Sequence, residues 1–252
     1  MAHHIKSEHI LKIESLDSTN NYAMNRVKEG KAGNFDCIWA AEQTQGRGQR
    51  GNSWLSEAGK NLTFSVIYYP EGLEAQHNFT ISMAVSLAVH EFLEGYVQQA
   101  QIKWPNDLFI KNRKVGGILI ENTLEQQYVK STVAGVGLNI NQRKFDEQLP
   151  SATSLVSNYG KELDLEESIF SLYNLIVSYL QRIDRNEREI LRQEYKSKLL
   201  GIGENMEYRD RQGRFFGMVI DVEDSGQLVV MDIDGKTRKY FFQEVDLVRK
   251  FA

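Results

Sequence analysis

The feature that most narrows the fold is the order of two neighbouring stretches. Residues 43–54 read Q-T-Q-G-R-G-Q-R-G-N-S-W, and residues 62–69 then read L-T-F-S-V-I-Y-Y. Gly46, Gly48 and Gly51 have the spacing of a dinucleotide-binding fingerprint, but that fingerprint joins a strand to a helix. Here the next apolar run is β-branched and aromatic with alternating faces, so a strand follows and a Rossmann unit is excluded. The lysine and hydroxyl residue that close a Walker A loop are missing as well. Glycines alternating with Arg47 and Arg50 let backbone N–H groups and guanidinium groups converge on one anion, which makes a phosphate loop of another design one reading. A mobile surface loop is the other. Trp54, just beyond the last glycine, supplies a flat ring able to stack on a base.

The flanking segments extend a mixed pattern of strands and helices. Residues 9–16 alternate as a first strand. The polar group Asp17, Ser18, Thr19 and Asn20 precedes a helical stretch that stops at Gly30, and taken alone it reads best as an N-cap. Residues 35–42 form a second strand leading into the glycine loop. Residues 76–96 place Phe79, Met83, Leu87, Val89, Phe92 and Leu93 on one broad stripe of a core-packed helix, with His90 a partly buried helix residue. Residues 101–110 must break at Trp104-Pro105, because proline cannot donate to a ladder, and Lys103, Asn106 and Asp107 are left around an irregular turn. A hairpin turn at 111–113 leads into strand 114–121, which carries Lys114 and the paired Gly116 and Gly117. Residues 128–140 form a further buried strand with glycines and with Asn139 near its end. Glycines on neighbouring strands predict a sheet face kept low for a flat ligand.

Asp164 with Glu167 has the form of a capping box, opening a strongly periodic helix to residue 183. A second helix covers 187–200 and ends at Gly201. Beyond Gly203 the pattern changes to four short strands, 206–209, 214–222, 227–233 and 236–242, separated by turn sequences of which Asp234-Gly235 is a favoured hairpin type. These strands predict a small β-barrel. The domains are therefore 1–200 and 201–252.

Composition removes several classes. With 252 residues, 41% hydrophobic and 25% charged, the chain is an ordinary globular one, long enough for one large core and a small second domain. A net charge of −4 argues against wholesale attraction to nucleic acid. One cysteine, Cys37, rules out an intrachain disulfide, and the five scattered histidines have no metal-ligand spacing. No apolar run reaches the ~20 residues of a membrane span, and residues 1–8 lack a signal-peptide core. The expected address is the cytoplasm, with no membrane partner.

With these residues in view, the chain resembles the biotin protein ligases. Five motifs carry the likeness in order: Ser18-Thr19-Asn20; G-R-G-Q-R-G with Trp54; Lys103-Trp104-Pro105-Asn106-Asp107; Lys114-Val115-Gly116-Gly117-Ile118-Leu119; and Gly135-Val136-Gly137-Leu138-Asn139-Ile140. The resemblance implies an α+β fold, a mixed β-sheet packed by helices as in the class II aminoacyl-tRNA synthetases, followed by an SH3-like β-barrel. It implies a two-step reaction: biotin and MgATP give biotinyl-AMP and pyrophosphate, and a lysine of a biotin carboxyl carrier domain then takes the acyl group. The first strand begins about ten residues in, so the N-terminal DNA-binding domain of the bifunctional members, and DNA binding with it, are expected to be absent. Oligomeric state is left open, a homodimer included.

Roles follow from the resemblance residue by residue. Ser18, Thr19, Asn20 and Gln43 are expected at the fused ring of biotin, with Gly116 and Gly117 allowing close backbone approach. Arg47, Gly48 and Gln49 are expected around the biotin chain and phosphate. Lys114 is the principal catalytic cation, between the biotin carboxyl and the α-phosphate, where a fixed charge stabilises the transition state. Arg47, Lys103 and Asp107 complete the catalytic set, and Arg50, Trp54, Asn106 and Asn139 join Arg47, Lys103 and Lys114 around ATP. Magnesium enters with ATP, near Asp107; no protein metal site is assigned. Many members carry a second arginine where this chain has Gln49, so a weaker hold on the adenylate is expected. The competing readings are a lipoate or octanoyl ligase of the same fold and a non-catalytic biotin or nucleotide sensor.

Overall fold

The protein is described by a computed structural model covering residues 7–147 and 149–248; of Ser7 and Arg50 the backbone alone is described. Strand β1 (Ile10–Leu16) is followed by helix α1 (Thr19–Lys28) and by β2 (Cys37–Gln43), which lies parallel to β1. Strand β3 (Leu62–Tyr68) and helix α2 (Phe79–Glu94) come next, then β4 (Ala100–Lys103), β5 (Asp107–Ile110), β6 (Arg113–Glu125) and β7 (Tyr128–Leu138). Together they form one seven-stranded mixed sheet of order β1-β2-β3-β7-β6-β5-β4. Helices α3 (Leu155–Tyr159), α4 (Leu165–Asp184) and α5 (Arg188–Ser197) complete this part.

The period-two rule gives the sheet two chemically different faces. Phe64, Val66 and Tyr68 of β3, with Ala134, Val136 and Leu138 of β7, join the main core beneath α2 and α4. The intervening residues face the other way: Ile67 and Val133 pack with Ala23 of α1 and Ile38 of β2 in a small second core. Ser65, Gly135 and Gly137 continue that second face beyond the cover of α1. Helix α2 is enclosed on nearly all sides rather than on one stripe. His90 within it is buried, with Nε2 3.0 Å from the Ala100 carbonyl oxygen and Nδ1 near Glu94; burial lowers its pKa although Glu94 opposes this.

Several local signals act as their chemistry requires. Lys111 and Asn112 have φ of 47° and 65°, the left-handed pair that a two-residue hairpin between β5 and β6 needs. Asp164 caps α4, accepting hydrogen bonds from the Glu166 and Glu167 amides at 2.8 and 2.9 Å. Phe35, expected inside a strand, has φ of 67°, so β2 starts only at Cys37. Helix α3 has no counterpart in the sequence reading.

Strands β8 (Met206–Asp210), β9 (Gly213–Val222), β10 (Leu228–Asp232), β11 (Thr237–Tyr240) and β12 (Val245–Leu247) form a second, antiparallel sheet of order β11-β10-β9-β8-β12. Among the described residues β11 and β12 do not pair, so the ladder is open rather than closed as a barrel. No helix among them is long and apolar enough to cross a membrane.

Candidate active site

Where α1 leaves the second face of the main sheet uncovered, a cavity is formed by segments far apart in sequence. Ser18, Thr19 and Asn20 enter at the start of α1. Gln43 enters at the end of β2, followed by Arg47, Gly48, Gln49 and Trp54 from the glycine loop. Lys103, Asn106 and Asp107 flank the turn between β4 and β5, where the Trp104–Pro105 peptide is cis. Lys114, Gly117 and Leu119 of β6 and Gly135 and Gly137 of β7 form the floor, and Phe242 reaches in from the second sheet.

A hydrogen-bonded network sets the inner end. Ser18 occupies the N-cap position of α1, yet its side chain makes no capping bond. Gln43 does that work: its Oε1 accepts from the Thr19 amide at 2.7 Å and from the Thr19 hydroxyl at 3.0 Å. Ser65 Oγ lies 2.7 Å from Thr19 Oγ1 and 2.6 Å from Asn20 Oδ1, with one proton to share between them. Asn20 Nδ2 donates to Glu121 Oε2 at 2.8 Å. Ser18, Thr19, Asn20 and Ser65 are buried, and for the last three this pairing is what makes their polar groups tolerable in the fold.

Two cations on the cavity wall, Arg47 and Lys114, are paired with carboxylates. Arg47 grips Glu121 with both guanidinium nitrogens, at 2.9 and 3.2 Å, and donates to Asn21 Oδ1 at 2.7 Å. Asn21 in turn donates to Asp17. This bond, the Ser18 amide and the nearby Arg47 hold the Asp17 pKa below the usual carboxylate value. Lys114 Nζ is 2.6 Å from Asp107 Oδ1 and 5.8 Å from the centre of the Trp54 ring, within cation–π range. Among the described residues Asp107 is the one carboxylate on the cavity wall. No group of three or more His, Cys, Asp or Glu side chains suited to a metal occurs among the described residues.

The glycine loop is a tight hairpin rather than an open nest of amides. The Trp54 amide bonds the Gly46 carbonyl at 2.9 Å and the Gly48 amide bonds the Asn52 carbonyl at 2.6 Å, so the Gly48 N–H is already used. Gly46 is required by proximity: a Cβ there would stand 2.4 Å from the Trp54 carbonyl oxygen. The low sheet face predicted from the glycines exists, but the protein's own side chains occupy it. A Cβ on Gly137 would meet the Trp54 indole at 2.3 Å, and one on Gly135 would meet Asn20 Oδ1 at 2.1 Å. Two buried polar atoms on the wall, Gln49 Oε1 and Trp54 Nε1, have no hydrogen-bond partner.

Two of the sequence-selected residues lie behind the wall instead. Gly116 faces the main core, where a Cβ would strike Leu138 at 2.8 Å. Asn139 is buried, with its amide donating to the Thr153 carbonyl at 3.0 Å. Asn106 does line the cavity, but its amide donates to the Ile118 carbonyl and braces the turn against β6. The Arg50 side chain lies outside the described residues. Sequence reasoning passed over Glu121, Ser65, Asn21 and Phe242. Glu121 carried a signal, since its carboxylate alternates in phase with the cavity-facing Gly117 and Leu119 of the same strand.

The second sheet is anchored to this wall. Trp104 Nε1 donates to the Gly226 carbonyl at 2.9 Å, and its ring meets Phe242 edge-on at 6.2 Å. On the other side Tyr195 of α5 donates to the Pro105 carbonyl at 2.9 Å.

Comparison with known proteins places this geometry. The chain is 28% identical over 247 residues to the bifunctional ligase/repressor BirA of Bacillus subtilis, spanning 96% of this chain and 75% of that protein. It is 28% identical over 227 residues to the biotin–acetyl-CoA-carboxylase ligase of Paracoccus denitrificans, spanning 87% of this chain and 93% of that one. A biotin protein ligase from Aquifex aeolicus, solved in complex with biotin and ATP, superposes with a TM-score of 0.74 at 26% identity, covering 96% of this chain and 99% of that one. Residues 13–139, which contain both Ser18–Asn20 and Lys114, match the profile of the biotin/lipoate A/B protein ligases, and the chain belongs to that family.

Proposed function

We propose that the chain is a biotin–protein ligase, which activates biotin with MgATP to biotinyl-AMP and pyrophosphate and then transfers biotin to a lysine of a biotin carboxyl carrier domain. The observation that carries this reading is the meeting, in one cavity, of the Ser18–Asn20 segment, Gln43, the glycine loop, the Lys103–Asp107 turn and Lys114. The relatives named biotin ligases, and the similar structure holding biotin and ATP, support it.

The chemistry follows from the polar and charged ends of the cavity. Ser18, Thr19 and Asn20 offer donors and acceptors to the ureido ring of biotin. The carboxylate at the far end of the biotin chain attacks the α-phosphorus, an acyl–phosphate bond forms, and the bond to pyrophosphate breaks. Charge accumulates on the phosphoryl oxygens, and an ammonium group fixed there stabilises them. Lys114 has three N–H donors; Asp107 takes one and aims the others. In the second step the carrier amine attacks the acyl carbon, AMP leaves, and Asp107 is the wall carboxylate able to receive the amine's proton. Trp54 and Gln49 are assigned to the nucleotide side, where their unpartnered polar atoms find partners. Magnesium arrives as part of MgATP.

Residues 1–200 are read as the catalytic domain and 201–252 as an SH3-like barrel that supplies Phe242 to the site. The curl of the second sheet supports this. Arg238 and Tyr240 of β11 reach Asp210 of β8, across the two intervening strands, at 3.2 and 2.7 Å. The proposed location is the cytoplasm, where MgATP and carrier domains occur together.

The test is mass spectrometry of a purified carrier domain incubated with the protein, biotin and MgATP. One biotinyl group on the target lysine is expected, abolished when that lysine is arginine. An unmodified carrier, or one modified by octanoate in preference to biotin, would overturn the assignment.

A further inference from the structure

Glu121 is a carboxylate on a strand whose alternate residues, Gly117 and Leu119, line the cavity. It stands next in that row, opposite Val133 of β7, and does not itself form the wall. Its side chain is only 26% exposed, a costly place for a charge without partners. The partners are two wall residues: Arg47, gripped through both nitrogens, and Asn20, which donates to Oε2. The first belongs to the glycine loop and the second to the start of α1. Glu121 is thus the point at which two cavity-forming segments, 26 or more residues apart in sequence, are tied to the floor.

We propose that Glu121 is a positioning residue that holds the glycine loop closed through Arg47 and fixes the Asn20 amide for its ligand, so that its charge sets biotin affinity. This rests on the ligase reading above. The orientation argument is geometric. Asn20 Oδ1 lies at Ser65 Oγ, 2.6 Å away, so its amide nitrogen must point to Glu121. Only an acceptor with two oxygens can serve that nitrogen and the Arg47 fork together. It follows that Arg47, held by Glu121 through both nitrogens, acts as a strut of the loop before it acts as a cation.

The discriminating substitution is Glu121→Gln, which keeps the shape, removes the charge and leaves one acceptor for two donors. Two readouts are made on the intact protein. In biotin-dependent ATP–pyrophosphate exchange, KM for biotin is expected to rise on the order of tenfold, the loss of a charge-assisted hydrogen bond; KM for ATP and kcat stay within about twofold. In ligand-free protein, trypsin is expected to cut after Arg47 several-fold faster, because the loop is no longer tied down. Glu121→Asp, which retains the charge, should recover part of both effects. Glu125→Gln, which removes the exposed partner of Lys130 on the same strand, should change neither.

Wild-type kinetics and cleavage in Glu121→Gln would overturn the proposal. A fall of kcat and of thermal stability together with a rise of both KM values would also overturn it, in favour of a merely structural role. Faster cleavage with unchanged biotin KM would remove the link to affinity. Failure of the wild type itself to catalyse exchange would instead bring down the ligase reading, and the affinity claim with it, while the cleavage result still decides whether Glu121 ties the loop.

Discussion

Gly135→Ala is the most informative single perturbation of the cavity floor. Gly135 does not have a left-handed φ, so alanine fits its backbone and the effect is purely steric. The added methyl would lie 2.1 Å from Asn20 Oδ1, and ordinary contact begins at 3.4 Å, so one side must move by about 1.3 Å. Strand β7 cannot yield easily, since it is paired on both edges, with β3 and β6. Asn20 must therefore leave Ser65 at 2.6 Å and Glu121 at 2.8 Å. Losing a neutral and a charge-assisted hydrogen bond costs about 2–4 kcal/mol, and any residual overpacking adds about 1 kcal/mol. For a chain of this size that is a fall in Tm of roughly 10 °C. If Asn20 meets biotin, affinity falls in the same variant by at least ~10-fold, the equivalent of about 1.4 kcal/mol. Differential scanning calorimetry and isothermal titration with biotin measure both. A variant as stable as the wild type would refute the steric argument, and a destabilised variant with unchanged biotin affinity would refute the role of Asn20.

Three further perturbations separate parts of the account. Gln49→Arg is expected to slow escape of biotinyl-AMP several-fold in a filter-trap assay, because a cation on the cavity wall adds attraction for the adenylate phosphate; unchanged escape would contradict this. Trp104→Phe removes the bond to the Gly226 carbonyl while keeping an aromatic ring, and should cost about 1 kcal/mol together with faster hydrogen exchange around residue 226. Burial opposes ionisation of Asp210, but hydrogen bonds from Tyr240, the Gln212 amide and Arg238 outweigh it and depress its pKa below 3.8. A depressed carboxylate stabilises above its unfolded pKa and loses that contribution as pH falls through the folded one. The second sheet should therefore loosen below about pH 4, and Arg238→Met should flatten that dependence in near-ultraviolet dichroism.

Elements whose signal is local were legible in the sequence. The alternation of residues 62–68, the cap at Asp164, the turn at Lys111 and Asn112 and the break at Pro105 each follow from backbone preferences within a few residues. The lining of the cavity was legible as a set of residue types. Their partners were not, because hydrogen bonds such as Arg47 to Glu121 span 74 positions and depend on which strands become neighbours. The same reason explains Ser18, which has a good capping side chain but yields the cap to Gln43, 24 residues from Thr19. Gly116 and Gly117 look equivalent in sequence, yet the pleat sends one toward Leu138 and the other toward Lys114. Helix α3 and strand β12 are too short to develop a periodic pattern.

The central claim is that this cavity adenylates biotin with Lys114 as its principal cation. Biotin-dependent exchange of labelled pyrophosphate into ATP tests it most directly, with octanoate and lipoate as alternative acids and Lys114→Ala as the variant. Exchange with biotin alone, reduced ~10²–10³-fold in the variant as for other preorganised transition-state donors, is the predicted result. Exchange that survives Lys114→Ala, or that requires octanoate or lipoate in place of biotin, would contradict it.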